Sequence, residues 1–294
     1  MSEAHLHSQP WSFSVLVASA LVLTAFVYLR GWFRLRPAFS RKAVIWRPLS
    51  FISGLCFLWI VVDSPASVLD HHSLTVHMIN HLLLTLVVAP LFIAGAPFLP
   101  LSFGLPTRLG CAVHRSTRHN APTQWLSGLF RHPVFCWLCA AGAVIGWHVP
   151  VVFQLAMRSH RWHDVEYASF TLAGLLFWRP VMQPESRWPR WCIPVYLFLA
   201  TLPCDILSAF LVFCDRLVYP SYASVTGLLN LSPLQDQQCA AALMWVSVTV
   251  AYLLPAAVIT IKILSPRHTH SQLQMQGVPA GPASPLSSSQ AEVA

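Results

Sequence analysis

The chain has 294 residues, of which 55% are apolar and only 10% charged, with a net charge of +8. A soluble domain carries about 25% charged residues, so this chain cannot cover a water-facing surface and a soluble globular protein is excluded. The basic residues sit in short clusters between apolar runs, which argues against a nucleic-acid partner and marks the topology signals of a polytopic membrane protein.

A helix needs about 20 apolar residues to cross the hydrocarbon. Seven runs qualify, at 12–30, 47–63, 73–95, 133–157, 164–182, 191–213 and 240–263. The N-terminal "MSEAHLHSQP" has neither a basic region nor a following cleavage site, so the first run is expected to stay as a span. Pro90, Pro150, Pro203 and Pro255 fall inside runs and mark expected kinks, tolerated when neighbours satisfy the freed carbonyls.

Charge sets the expected orientation. Arg30, Arg34, Arg36, Arg41, Lys42 and Arg47 follow the first run, and Arg108, Arg115, Arg118 and Arg131 follow the third. Arg179, Arg187 and Arg190 follow the fifth, and Lys262 and Arg267 follow the seventh. The other face holds only Arg158, Arg161 and Arg216. This asymmetry predicts an N-terminus outside and a C-terminus in the cytoplasm. The loop after the third run is expected to lie along the inner interface. The expectation is an all-α polytopic membrane protein with a seven-helix domain over 1–264. A Pro/Ser/Ala/Gly-rich, disordered cytoplasmic tail is expected over 265–294.

Polar residues collect at one end of these runs. In "HMINHLLLT", His77 and His81 are four apart and share a helix face, with Cβ atoms roughly 6 Å apart. Asn80 lies beside them. "GWHVP" places His148 in the outer half of the fourth run, and "HRWHDVEY" places His163 and Glu166 at the start of the fifth. "LPCDILSAF" places Asp205 in the outer half of the sixth, and "PLQDQQ" places Asp236 and Gln237 before the seventh. At ~1.5 Å per residue, His81, His148 and Asp205 lie about 12–13 Å below the outer surface. The groups are therefore expected to meet in one outward-opening cavity.

An intramembrane Asp, Lys or Arg costs at least ~2.5–3.5 kcal/mol on insertion scales, so such a cluster reads by default as a functional site. Imidazole with carboxylate suits copper, zinc, iron and nickel. His77, His81, His148 and His163 are the expected ligands. Asn80, Glu166, Asp205, Asp236 and Gln237 are expected as alternative ligands or as groups that orient an imidazole. The competing reading makes His77 and His81 an interhelical hydrogen-bonding pair, ties His148 to a carbonyl, and leaves His71 and His72 as exposed loop residues. The eight cysteines form no zinc-like pattern, and Cys136 and Cys139 read as packing residues. Cys214 and Cys239 bracket an outer loop, where a disulfide can form.

"HMINHLLLTLVVAPLFIAGAP", "WHVP", "HDVEYASFTLAGLLFWRPV" and "DQQCAAALMWV" occur in that order. Together they resemble the CtaG family of bacterial cytochrome c oxidase assembly factors, over roughly residues 45 to 262. The resemblance implies a seven-span protein of the bacterial inner membrane that acts in maturation of haem-copper oxidases. It implies an oxidase subunit as partner and a role around copper delivery. It assigns the family's recurring polar residues to His77, His81, His148, His163, Asp236 and Gln237. One position departs: Tyr167 stands where the family often has a second histidine four after His163, and Glu166 is the expected replacement.

Four functions compete. A copper-holding assembly factor uses the whole cluster. A haem-carrying cytochrome uses His81 and His148 as axial ligands. A metal or proton transporter needs polar residues in the inner halves of the spans, where there are almost none. A structural chaperone of an oxidase subunit uses the histidines only to stabilise its own bundle. The sequence contains no serine nucleophile elbow, phosphate-cradling glycine loop or H-E-x-x-H, so no enzyme is expected. The outward cluster and the resemblance favour the first function.

Overall fold

The computed structural model describes residues 14–38, 40–110, 125, 128–184, 188–223 and 231–265. The expected tail beyond Ser265 and the basic positions Arg115, Arg118 and Arg187 lie outside the described residues. Among the described residues there is no strand. The helices are α1 (Val15–Leu35), α2 (Arg41–Asp63), α3 (Leu74–Ala94), α4 (Phe98–Gly104) and α5 (Pro133–His148). They continue with α6 (Pro150–Arg158), α7 (His160–Met182), α8 (Cys192–Phe213) and α9 (Pro233–Leu264). A short 3₁₀ segment, Pro65–His72, joins α2 to α3.

Five helices, α1, α2, α3, α8 and α9, are long and apolar enough to cross a membrane. The pair α5 and α6 makes a sixth if it is one span, bent by 75°. The bend lies where Val149 turns extended ahead of Pro150, whose ring disfavours a helical residue before it. By contrast, Pro203 and Pro255 sit inside unbroken helices. α7 has the length of a span, but its polar residues, from His160 to Glu166 and at Arg179, keep it off that count. The outer surface is apolar: Leu16 is 79%, Ile206 72% and Phe213 75% exposed. Water would not tolerate such a belt, and lipid covers it at no cost.

Helix starts follow from the sequence. Ser14, Ser40, Ser73 and Ser232 cap α1, α2, α3 and α9 through their hydroxyls. α9 adds Gln235 to complete a capping box. The start of α3 is also capped from another helix. Asp236 of α9 accepts from Leu74 N at 2.6 Å, Thr75 N at 3.3 Å, Ser73 Oγ at 2.9 Å and Thr75 Oγ1 at 2.6 Å. A carboxylate there satisfies free backbone N–H groups and lies at the positive end of the helix dipole.

α3 is not uniform. Leu83–Val88 is wound as a π-helix, and Ala89 N donates to Leu84 O, one residue further back than in an α-helix. In that register the partner of Thr85 O would be the N–H of residue 90, and Pro90 has none. Trp178 of α7 supplies the missing donor, with Nε1 2.8 Å from Thr85 O. The helices approach closely here: a Cβ on Gly174 would lie 2.9 Å from Ala89 Cβ and 3.1 Å from Thr85 Cα. Small residues at such crossings let membrane helices pack backbone to backbone.

The loop after α3 contributes a helix of its own to the bundle. Its described helix α4 packs on α1, where Gly31 and Gly104 let the backbones meet, and Arg34 donates to Phe103 O at 2.8 Å.

Two outcomes follow. Trp178→Phe strips Thr85 O of its only side-chain donor and lowers stability by about 1–3 kcal/mol; an unchanged thermal midpoint in detergent would contradict this assignment. Asp236→Ala costs a similar ~1–3 kcal/mol by exposing the first turn of α3, measured the same way, whereas Asp236→Asn recovers part of the loss.

Candidate metal centre

The polar residues at the start of α3 and α7 converge on two carboxylates. Asp70, from the 3₁₀ segment, is completely buried. Its Oδ2 accepts from His163 Nε2 at 2.7 Å, Tyr167 OH at 2.8 Å and His77 Nδ1 at 3.1 Å. Its Oδ1 accepts from Asn80 Nδ2 at 3.3 Å, and Asn80 also donates to Tyr167 OH at 3.0 Å. Burial alone would raise the Asp70 pKa, but His77 and His163 outweigh it and hold the carboxyl well below its ordinary range. Tyr222 seals the top by donating to Asp70 O at 2.9 Å.

Glu166 is the second carboxylate, and it is also completely buried. His77 Nε2 lies 3.5 Å and His81 Nε2 3.4 Å from its Oε1. Neither Glu166 oxygen has a hydrogen-bond partner, nor does His77 Nε2 or either nitrogen of His81. Buried polar groups are nearly always paired, so five such atoms in one place demand an explanation. The tautomers sharpen it. An ionised Asp70 only accepts, so His77 Nδ1 carries a proton toward it, and Nε2 is the nitrogen turned to Glu166.

Two triads have ligand atoms within 4.8 Å of one another: Asp70, His77 and His163, and His77, His81 and Glu166. They are not equivalent. Asp70 is already saturated by four donors, whereas every facing atom of the second triad is unsatisfied. The second triad is the one whose donors fit a cation, with Asp70 orienting His77 from behind.

The rings also form a ladder from the surface inward. His71 is exposed, and its ring lies 5.3 Å from that of His163. The next steps are His163 to His77 at 5.8 Å, His77 to His81 at 4.2 Å, and His81 to His148 at 6.4 Å.

The expected residues therefore divide. His77, His81 and Glu166 meet. His163 and Asn80 serve Asp70. His148 stands apart, with Nδ1 2.7 Å from Val144 O. Asp205 does not join; it is half-buried on α8, beside Cys204, with no ion pair to a histidine. Asp236 is consumed in capping α3. Gln237 ties the loop after α8, accepting from Val218 N at 2.8 Å and donating to Arg216 O at 3.3 Å. Cys214 and Cys239 are both free thiols, with Cys239 exposed on α9 and Cys214 at the end of α8, so no disulfide links them.

Two corrections concern the cavity. The triad does not line an open cavity: His77 and Glu166 are 0% and His81 5% exposed. Nor is there room for haem between His81 and His148, because the cavity they line is about 40 Å³, and a ligand of that size class needs roughly 300 Å³ or more.

Sequence reasoning missed Asp70 and the role of Tyr167; it read His71 as exposed, which it is, but not as a neighbour of His163. Asp70 lies in a short polar stretch between two apolar runs, where nothing distinguishes it from a solvated loop.

Comparison with known proteins completes the description. The chain is 21% identical over 203 residues to an uncharacterized protein of Mycobacterium leprae (strain TN), an overlap covering 66% of this chain and 30% of that protein. No solved structure matches it significantly. The family model described as cytochrome c oxidase caa3 assembly factor (Caa3_CtaG) matches residues 26–265, a stretch that includes every residue of both triads. The chain belongs to that family of cytochrome c oxidase assembly factors.

Proposed function

We propose that this assembly factor binds copper through His77 Nε2, His81 Nε2 and the Glu166 carboxylate, and passes it to a haem-copper oxidase subunit. The observation that carries the reading is Glu166: a fully buried carboxylate with no hydrogen bond, facing two imidazole nitrogens that also lack one. Two imidazoles at 3.4–3.5 Å are the carboxylate's only close partners among the described residues, and a bound cation would satisfy all these atoms together. Imidazole and carboxylate alone suit several metals. Copper is favoured among them because the family's client is a copper enzyme.

The same reading takes α5 with α6 as one span and α7 as another, which with the five apolar helices makes seven. The excess of Lys and Arg after the first, third, fifth and seventh runs supports a site on the outer face of a bacterial inner membrane, with the C-terminus in the cytoplasm. A mechanism follows from the residues. Asp70 holds His77 Nδ1, so Nε2 is the nitrogen left to face a metal. The His71–His163 end of the ladder gives an approach from the surface. The apolar walls exclude water, so the charge on Glu166 is not screened.

Copper in the purified protein, measured by elemental analysis and chelator competition, tests the reading. His81→Ala is expected to weaken retention at least tenfold, and Asp70→Asn by about 10–100-fold through the orientation of His77. Glu166→Gln should weaken retention, since it removes the carboxylate from the ligand set. Wild-type protein that binds no copper would remove the reading. Co-purification with an oxidase subunit unaffected by these variants would favour a purely structural chaperone.

A further inference from the structure

Toward the middle of the bundle from the triad lies a cavity of about 40 Å³. One water-sized body needs roughly 10–15 Å³, so the space takes a single ion or a few waters but no organic cofactor. Its wall contains His81, His148, Met78, Met244 and Cys204 among apolar side chains. All five are more than nine-tenths buried.

The two imidazoles are poised as ligands. His148 Nδ1 is 2.7 Å from Val144 O, and a carbonyl can only accept, so Nδ1 holds the proton and Nε2 the lone pair. Nε2 is buried with no partner. On His81, Nε2 faces Glu166 and Nδ1 is likewise buried without a partner. The remaining donors are two thioethers and a free thiol. No carboxylate lines the cavity, so nothing there balances a dication. Thioether, thiol and imidazole donors in a carboxylate-free pocket select a soft monovalent ion.

We infer that this cavity is a second metal site, built for monovalent copper and held by His148 Nε2 with the sulfurs of Met78, Met244 and Cys204. It rests on the copper reading of the Glu166 triad and extends it: the ladder leads from a hard site, with carboxylate and imidazole, to a soft one deeper in the bundle. His81 borders both.

The test uses full-length protein in detergent, kept anaerobic and reduced, and loaded with one and then two equivalents of monovalent copper. X-ray absorption at the copper edge reads the ligands, and competition with a chromophoric chelator reads affinity. Sulfur scattering is expected by the second equivalent. In Cys204→Ser/Met244→Leu, sulfur scattering should fall and one equivalent should weaken at least tenfold while the other is unchanged. Glu166→Gln should weaken the other equivalent and leave the sulfur signal. Circular dichroism and melting point report folding, and Met78→Leu serves as a second, volume-conserving variant. Two equivalents bound without sulfur scattering, or a double variant that binds both as wild type does, would overturn the second site and leave the triad standing. No copper at either equivalent would remove both.

Discussion

The carboxylate of Asp70 is the interaction on which the outer half of this bundle depends. It gathers His77 and Asn80 from α3 and His163 and Tyr167 from α7, and its own carbonyl takes the hydroxyl of Tyr222. The lipid interior offers no water to these groups, so each must find its partner within the protein. One short 3₁₀ segment therefore fixes the rotation of two helices and the orientation of the histidine they share. A charge buried this completely is tolerable only because it is so fully paired.

Three buried acids show how the same chemistry can be spent differently. Asp236 closes the open end of a neighbouring helix. Asp70 aligns side chains. Glu166 has no hydrogen bond and only two imidazoles at 3.4–3.5 Å beside it. Structures rarely leave a carboxylate in that condition, and the contrast with its two satisfied counterparts is what singles it out. Burial alone does not distinguish the three; the inventory of donors does.

Much of this was legible from the sequence and some was not. The apolar runs gave the helices because their length and composition answer to the bilayer. His77 and His81 were legible because four residues bring two side chains onto one helix face. Pro150 marked a true break, whereas Pro203 and Pro255 did not, since membrane helices absorb prolines when neighbours cover the carbonyls. Asp205 was misplaced because depth along a span says nothing of which way a side chain points. Asp236 shared the level of the site but was used by Ser73 and Thr75. Asp70 was invisible because its importance is tertiary: it depends on a loop folding back over two helix starts. Tyr167, a departure from the family's usual histidine, shows the same lesson. Its hydroxyl takes a place on Asp70 that an imidazole would otherwise compete for, which keeps the local network closed without a further titrating ring.

The π-wound turn of α3 has a consequence for how the molecule was assembled. Such a turn holds one residue more than the helix around it would, and each residue of an α-helix accounts for about 100° of rotation. The wide turn absorbs that extra residue, so the histidine-bearing half of α3 keeps its facing relative to the half that packs on Gly174. One residue added to or taken from the α-wound stretch on either side would instead turn one half against the other by about 100° and swing both imidazoles away from Glu166, with no polar residue altered. The address of the site is written as much in the length of a greasy stretch as in the identity of its ligands.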